Sequence, residues 1–334
     1  MAALDVLFSS GRLPPTRIVV FAPRNIVHRP SWKTLEIRTV GCLTGHLWEQ
    51  LELPLFSRGQ LLFTPSGGAP VLHSRNVITI HDAAPFTTPH AYSLAYRMYY
   101  RALQWFLARS ALHIITVSEF AREELVRALA LKPARISVTL LSGEHILRES
   151  ADHGVFSRLN LPPGPYILAV ASRNPNKNIG ALEAAFARIG EQGVWMALAG
   201  GGSHAAFARH QVPGPKVRQL GTVTDGELRS LYENAACFVF PSLYEGFGLP
   251  PLEALTVGCP VIVARVASLP EVFGEAAFYC DPNSVQDIYG SIVSVLHGNR
   301  LDRQVQLAKA GEYTWERCAL QTWSILSREL AKMV

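Results

Sequence analysis

Short, apolar, β-branched runs alternate with amphipathic helical stretches along all 334 residues. No other feature constrains the fold as much. Strands that are apolar on both faces must be covered on both, and strand–helix repeats of this kind build parallel sheets layered with helices. Strands are predicted at 17–22, 61–64, 77–80, 114–117 and 136–140, and then at 166–171, 194–199, 217–220, 236–240, 260–264 and 277–280. Helices are predicted over 94–109, 118–131, 179–189, 225–233, 251–257 and 285–296, with cap candidates at Thr224-Asp225 and Asn283-Ser284. A last helix over 313–334 carries Trp315, Leu320, Trp323, Leu326 and Leu330 on one side. The segment 148–165 is polar and ends in Leu-Pro-Pro-Gly-Pro, which reads as a linker. The expected organisation is therefore an α/β domain at 1–150, a second at 151–312, and a closing helix at 313–334. In doubly wound sheets ligands sit at the carboxyl ends of the strands, so the cleft between the domains is the expected site.

Composition narrows the function classes. The chain is 49% apolar and 17% charged, as a globular protein is. No apolar run approaches the roughly 20 residues of a spanning helix. The first eight residues lack a basic n-region and include Asp5, which argues against a secretory leader. The five cysteines are scattered, with no Cys-x-x-Cys pair, and read as reduced thiols of a cytoplasmic protein. Charge is uneven: residues 1–150 carry 16 Lys and Arg against 10 Asp and Glu, a net of +6, whereas the remainder is at −1. The basic first half suits either an anionic partner, such as a phospholipid surface, or a plain solvated face. No basic run is interleaved with aromatics, so nucleic acid is not expected as a partner.

Four stretches could carry chemistry. In Phe240-Pro-Ser-Leu-Tyr-Glu245-Gly246-Phe247-Gly248-Leu249-Pro-Pro-Leu-Glu253, an apolar strand enters a glycine-bearing loop that opens a helix at two prolines. Proline suits a first helical turn, and the amides of Gly246 to Leu249 would then point at an anion favoured by the helix dipole. Singly, Glu245 and Glu253 could be acids that stabilise that dipole. Together with the loop they suit a ligand bearing both hydroxyls and phosphates, because a carboxylate can grip a diol. In Arg173-Asn-Pro-Asn-Lys177-Asn, two cations leave the end of the strand at 166–171, Arg173 as a planar fork for phosphate oxygens and Lys177 as a compact charge. His81 and Asp82 end the strand at 77–80, where the imidazole could be structural or catalytic. Glycine loops at 200–202 and 220–225, the latter including Gly221 and Val223, follow two further strands and permit close backbone approach. The chain has no P-loop, no Gly-x-Gly-x-x-Gly, no Gly-x-Ser-x-Gly, no His-Glu-x-x-His and no Asp-x-Asp, so nothing proposes a metal or a serine nucleophile.

These motifs resemble those of the retaining glycosyltransferases of family 4. The likeness lies in Glu245 and Glu253 within Tyr-Glu-Gly-Phe-Gly-Leu-Pro-Pro-Leu-Glu-Ala, in Arg-Asn-Pro-Asn-Lys-Asn, in Leu-Gly-Thr-Val-Thr-Asp, in Ser268-Leu-Pro-Glu-Val and in the strand-end His81-Asp82, and it runs from about Trp48 to the final helix. The resemblance implies the GT-B fold of two Rossmann-like domains. It also implies that Arg173 and Lys177 hold a donor diphosphate, that Glu245 contacts the transferred sugar beside the amides of Gly246, Phe247, Gly248 and Leu249, and that Gly221 and Val223 lie on the donor side. Glu253 would bind the ribose, His81 would line the sugar site, and the last helix would cross back to the first domain. Such enzymes act without a metal or other cofactor, with retention by front-side attack, the leaving phosphate helping to accept the acceptor's proton.

The flavour is that of mannosyltransferases of bacterial polysaccharide pathways. It sets the expectation of GDP-mannose as donor and a glycan or lipid-linked oligosaccharide as acceptor, at the cytoplasmic membrane face. The family begins with a strand and a glycine-rich loop, and this chain shows neither; its strand at 17–22 looks like the family's second. That departure keeps two other readings in view: a non-catalytic subunit that partners another transferase, and a nucleotide-sugar epimerase.

Overall fold

The computed structural model describes residues 1–171, 174–189, 193–200 and 216–333. Its first part forms strands β1 (Val19–Ala22), β2 (Glu36–Thr39), β3 (Leu62–Thr64), β4 (Asn76–Thr79), β5 (His113–Thr116) and β6 (Ile136–Val138). Helices α1 (Ala2–Ser9), α2 (Gly45–Leu47), α3 (Leu53–Phe56), α4 (Ala84–Thr87), α5 (Leu94–Ser110) and α6 (Glu119–Leu129) accompany them, α2 and α3 being joined by a π-turn at Trp48–Glu52. The second part forms β7 (Tyr166–Ala171), β8 (Trp195–Gly200), β9 (Val217–Gly221), β10 (Cys237–Phe240), β11 (Val261–Ala264) and β12 (Phe278–Cys280). Its helices are α7 (Gly154–Arg158), α8 (Ile179–Phe186), α9 (Asp225–Asn234), α10 (Leu249–Thr256), α11 (Leu269–Phe273), α12 (Val285–Leu296) and α13 (Arg303–Gly311), and α14 (Trp315–Ala331) follows.

The second domain is one parallel sheet in the order β12-β11-β10-β7-β8-β9. Alternation along its strands sends Phe238 and Phe240 into one core and Cys237 and Val239 into the other, so both faces are covered. Chain order reverses between β7 and β10, which makes the crevice at their carboxyl ends the topological switch point. Capping follows side-chain chemistry. Thr224 and Glu227 form a reciprocal capping box on α9, and Ser284, Thr314 and Ser118 cap α12, α14 and α6. Cys237, Cys259 and Cys280 are buried, and burial pushes the thiols of Cys237 and Cys280 up to about 12.

The first domain is built in two pieces. Strands β3, β4, β5 and β6 form one parallel sheet, and among the described residues β1 and β2 pair only with each other. Residues of β1 and β3 line one cavity of about 690 Å³ between the two sheets, closed from outside by Trp323, Leu326 and Leu330 of α14. Helix α14 also packs Leu326 and Ile325 onto Val77 and Ile115 of the four-stranded sheet, and Ala319 and Trp323 onto α1. Buried Asp5 of α1 accepts hydrogen bonds from the amides of Lys33, Thr34 and Leu35 at 2.9, 2.7 and 3.2 Å. Burial opposes its charge, but those amides hold its carboxyl below the usual range.

Several elements differ from the sequence expectation. Strand β2 is Glu-Ile-Arg-Thr, with only Ile37 half-buried, so it offers no apolar run to detect. Helices α1 and α13 and the short helices α2, α3, α4, α7 and α11 were not expected. The segment 148–165 is no free linker: it contains α7, buries Val155, and bonds the Asp152 amide to the Gly226 carbonyl at 2.9 Å. Helix α10 begins at Leu249, two residues before the predicted start. Because Leu326 is buried between α14 and the four-stranded sheet, Leu326→Ala should destabilise the protein by about 2–5 kcal/mol in urea unfolding.

Candidate functional site

Strands β7 and β10 deliver their following loops to the switch point. After β7, the chain turns through Asn174, whose side-chain oxygen accepts from the Asn176 amide at 2.9 Å, into a 3₁₀ turn at Pro175–Lys177. Asn178 holds the turn, donating to the carbonyls of Pro241 and Pro282 at 3.1 and 2.7 Å. The Leu243 amide donates back to the Asn176 carbonyl at 2.8 Å. The two loops are thereby locked together, and Lys177 meets Glu245: Nζ lies 2.7 Å from Oε1 and 4.7 Å from the centroid of the Phe240 ring. Both side chains are largely buried, so this pair interacts more strongly than a surface pair would. Arg173, expected beside Lys177, lies outside the described residues, as do Gly201 and Gly202.

Downstream, Gly248 adopts φ +98° as the residue before α10. Leu249 opens the helix, so its amide has no carbonyl one turn back to bond within the helix. Phe247 turns the other way, buried edge-to-face on Tyr313 at 5.8 Å, and anchors the loop to the core. Glu253, one turn into α10, is buried and already engaged: Oε2 accepts from the Tyr232 hydroxyl at 3.0 Å, and Oε1 lies 2.9 Å from His145 Nε2. Gly221 ends β9 at φ +67°, and Val223 packs against the main core.

The first domain closes on this loop. Ser118 Oγ donates to the Gly246 carbonyl at 2.6 Å, and the Ala83 amide donates to the Tyr244 hydroxyl at 3.2 Å. The Glu271 carboxylate reaches across to accept from the amides of Glu119 and Phe120 at 2.8 and 3.0 Å, the start of α6. Asn176 donates to Thr88 Oγ1 at 2.9 Å. His81, just past β4, is half-buried with Nε2 3.1 Å from the Pro65 carbonyl. Beside it, burial pushes the Asp82 carboxyl up despite a bond from the Ala84 amide. A cavity of about 470 Å³ joins His81 of the first domain to Leu249 of the second, and His145 and Arg148 also line it.

His145 and Arg148 were not expected at the site. They follow β6, and the rule that singled out His81 at the end of β4 applies equally there. His145 Nδ1 lies 3.2 Å from the Ser142 carbonyl, while Nε2 faces Glu253. The Trp315 indole N–H also points at Nδ1, at 3.4 Å, and the hydrogen bond to Glu253 is the chief cause that raises the pKa of His145 above 6.5. A raised histidine pKa stabilises the fold below the unfolded-state value, and that stabilisation fades as pH rises through the folded-state value. Melting measured across neutral to mildly alkaline pH should therefore show a decline that His145→Gln flattens.

Gly246 marks the tightest point of the seam. A Cβ there would stand 2.5 Å from the His81 carbonyl oxygen and 2.9 Å from Asp82 Cβ, both in the opposite domain. Gly246→Ala must part the domains, and kcat/KM for group transfer should fall on the order of 10²-fold, with an increased radius of gyration in solution scattering.

Comparison with known proteins places this geometry. The model for glycosyl transferases group 1 matches residues 156–313, and that for glycosyltransferase family 4 matches residues 61–139. An O-antigen chain mannosyltransferase B from Escherichia coli is 34% identical over 272 residues, covering 74% of this chain and 69% of that protein. The O-antigen chain mannosyltransferase RfbU of Salmonella typhimurium is 28% identical over 291 residues, covering 83% of this chain and 76% of that protein. Among solved structures, the sucrose-phosphate synthase of Thermosynechococcus elongatus superposes with a TM-score of 0.74 at 20% identity, over 99% of this chain and 92% of that one. The parallel sheets and the likeness in fold make the architecture GT-B, two Rossmann-like α/β domains across a cleft.

Proposed function

This chain belongs to the group 1 and family 4 glycosyltransferases, and from that premise we propose that it is a retaining hexosyltransferase of polysaccharide biosynthesis. Its donor is a nucleotide sugar, with GDP-mannose first among the candidates because the relatives reported above are mannosyltransferases. Its acceptor is a glycan or lipid-linked oligosaccharide, presented at the inner face of the cytoplasmic membrane. One observation carries the reading: Lys177 and Glu245 meet at the switch point of the nucleotide-side sheet, in a loop that runs into the amide end of α10 and is covered by the first domain.

In this reading Lys177 and Arg173 neutralise the donor diphosphate, and the Leu249 amide adds the positive end of α10. No divalent cation is assigned to that role. Glu245 holds the sugar hydroxyls, with the amides of Gly246, Phe247 and Gly248 alongside, and Glu253 accepts from the ribose diol. Gly221 and Val223 border the nucleotide. His81 approaches the sugar from the acceptor domain. The acceptor hydroxyl oxygen attacks the anomeric carbon on the face from which the diphosphate leaves. The carbon–oxygen bond to phosphate breaks, its electron pair goes to the departing nucleoside diphosphate, and the hydroxyl proton passes to a phosphate oxygen of that leaving group.

Lys177 is therefore shared: one of its protons goes to Glu245 at 2.7 Å, and in this reading its others serve the donor phosphates. Lys177→Ala and Glu245→Ala should each lower sugar transfer on the order of 10²-fold or more while circular dichroism keeps the folded spectrum at assay temperature, with melting lowered by the charge left unpaired. Near-wild-type turnover in both variants would remove the assignment. Titration calorimetry with GDP, UDP and ADP identifies the base, and absence of binding to all three would instead favour a non-catalytic subunit.

A further inference from the structure

Helix α5 is apolar on two sides. Its inner face buries Leu103, Leu107 and Ala108 against Ile78, Ile80 and Ile114 of the four-stranded sheet. Its outer face carries Leu94, Met98, Trp105 and Phe106 into solvent, with Met98 63% and Phe106 51% exposed. A helix apolar all round is expected in a core, and a surface helix normally turns polar residues outward. The neighbouring helical segment at 45–56 does the same: Leu47, Leu51 and Leu55 recur every four residues on its exposed side, Leu55 at 71% exposure. The two stretches touch where the His46 ring lies 5.2 Å from that of Tyr99, so the exposed apolar side chains extend across both. Exposed apolar surface of this extent marks an interaction site.

Charge selects the partner. From residue 45 to 118 the sequence contains five arginines and three acids, Glu49, Glu52 and Asp82. Glu49 and Glu52 are half-buried and engaged, Glu52 by the Cys42 and Leu43 amides and Glu49 by the Gln50 side chain. Asp82 lies at the cleft, not on this face. Arg109 stacks on the exposed Trp105 ring at 3.7 Å, at the carboxyl end of α5, and exposed Arg58 follows Leu55 one turn on. Apolar side chains with arginines at their margins match a leaflet, which offers hydrocarbon below and phosphate at the surface.

We propose that the outer faces of α5 and of the segment 45–56 together dock the first domain on an anionic phospholipid surface. Leu51, Leu55, Met98 and Phe106 enter the headgroup–acyl boundary, and Arg58 and Arg109 engage lipid phosphates. This extends the membrane-face reading above to a defined surface. Its test reads vesicle binding and not sugar transfer, so the two stand or fall separately.

Co-sedimentation of the full chain with phosphatidylglycerol-containing and pure phosphatidylcholine vesicles decides the matter. Binding to the anionic vesicles should be strong at low salt, and Arg58→Gln and Arg109→Gln should each weaken it about fivefold and make it less salt-dependent. Leu51→Asp with Met98→Asp should abolish it while GDP, UDP or ADP binding is unchanged from wild type. Should that pair disturb melting, the milder Leu55→Ser with Phe106→Ser serves, with a loss of about tenfold expected. Wild-type protein that stays in the supernatant with anionic vesicles would overturn the proposal. So would undiminished binding of both double variants, or a wild-type dimer that these substitutions dissociate without changing vesicle binding.

Discussion

Everything at the cleft depends on the loop from Pro241 to Gly248 fitting beneath the first domain without a side chain at 246. Three attachments converge on it. The Ser118 hydroxyl holds the Gly246 carbonyl, Asn176 and Asn178 tie its start to the turn after β7, and Phe247 drives its far end into the core. Backbone at both edges of the seam is in contact, so the position of Glu245 and the direction of α10 are fixed by the opposite domain as well as by their own. A group-transfer site gains from such preorganisation, because fixed donors aimed at a developing phosphate charge need no reorganisation as the bond breaks.

A second layer couples the site to the end of the chain. Glu144 accepts from the Trp315 amide at 2.8 Å, the Ser142 hydroxyl donates to the Tyr313 carbonyl at 2.8 Å, and His145 packs edge-on against the Trp315 ring at 5.9 Å. The same short stretch pairs with Glu253. Helix α14 is therefore fastened at its start to the stretch after β6 and, through Tyr313 just before it, to Val272 and Phe247 of the nucleotide-side domain, and along its length to the sheet of the first domain, a strap across both. Tyr232 completes the arrangement from below, its hydroxyl kept protonated by full burial and by the charge of Glu253.

Much of this was legible before any coordinates. All eleven strands read from the sequence occur, because strands covered on both faces must be runs of apolar residues, and such runs are hard to mistake. The loop carrying Glu245 and the turn carrying Lys177 declared themselves through glycine, proline and charge at strand ends. What escaped was weaker in pattern or longer in range. Strand β2 exposes most of its residues, and α1 and α13 were passed over although α13 starts on the Asp302 cap and ends at Gly311, and Gly11 follows α1. His145 looked like any histidine in a polar stretch, since its partner lies 108 residues away in sequence at Glu253. Contacts across that span are a property of the assembled domains, and no local pattern encodes them.

The break in the first domain's sheet has its own consequence. Strand β1 has a ladder partner on one side only, and the cavity beside it is walled by side chains and not by backbone bonds. The corner holding β1 and β2 is thus attached through α1, through Asp5 gripping the 33–35 amides, and through the tryptophan and leucines of α14. Attachments of that kind can release as a unit while the central strands stay paired, so this corner can open as a cooperative block of its own, linked to the hydrogen-bonded seam only through α14 and the stretch after β6 among the contacts described above.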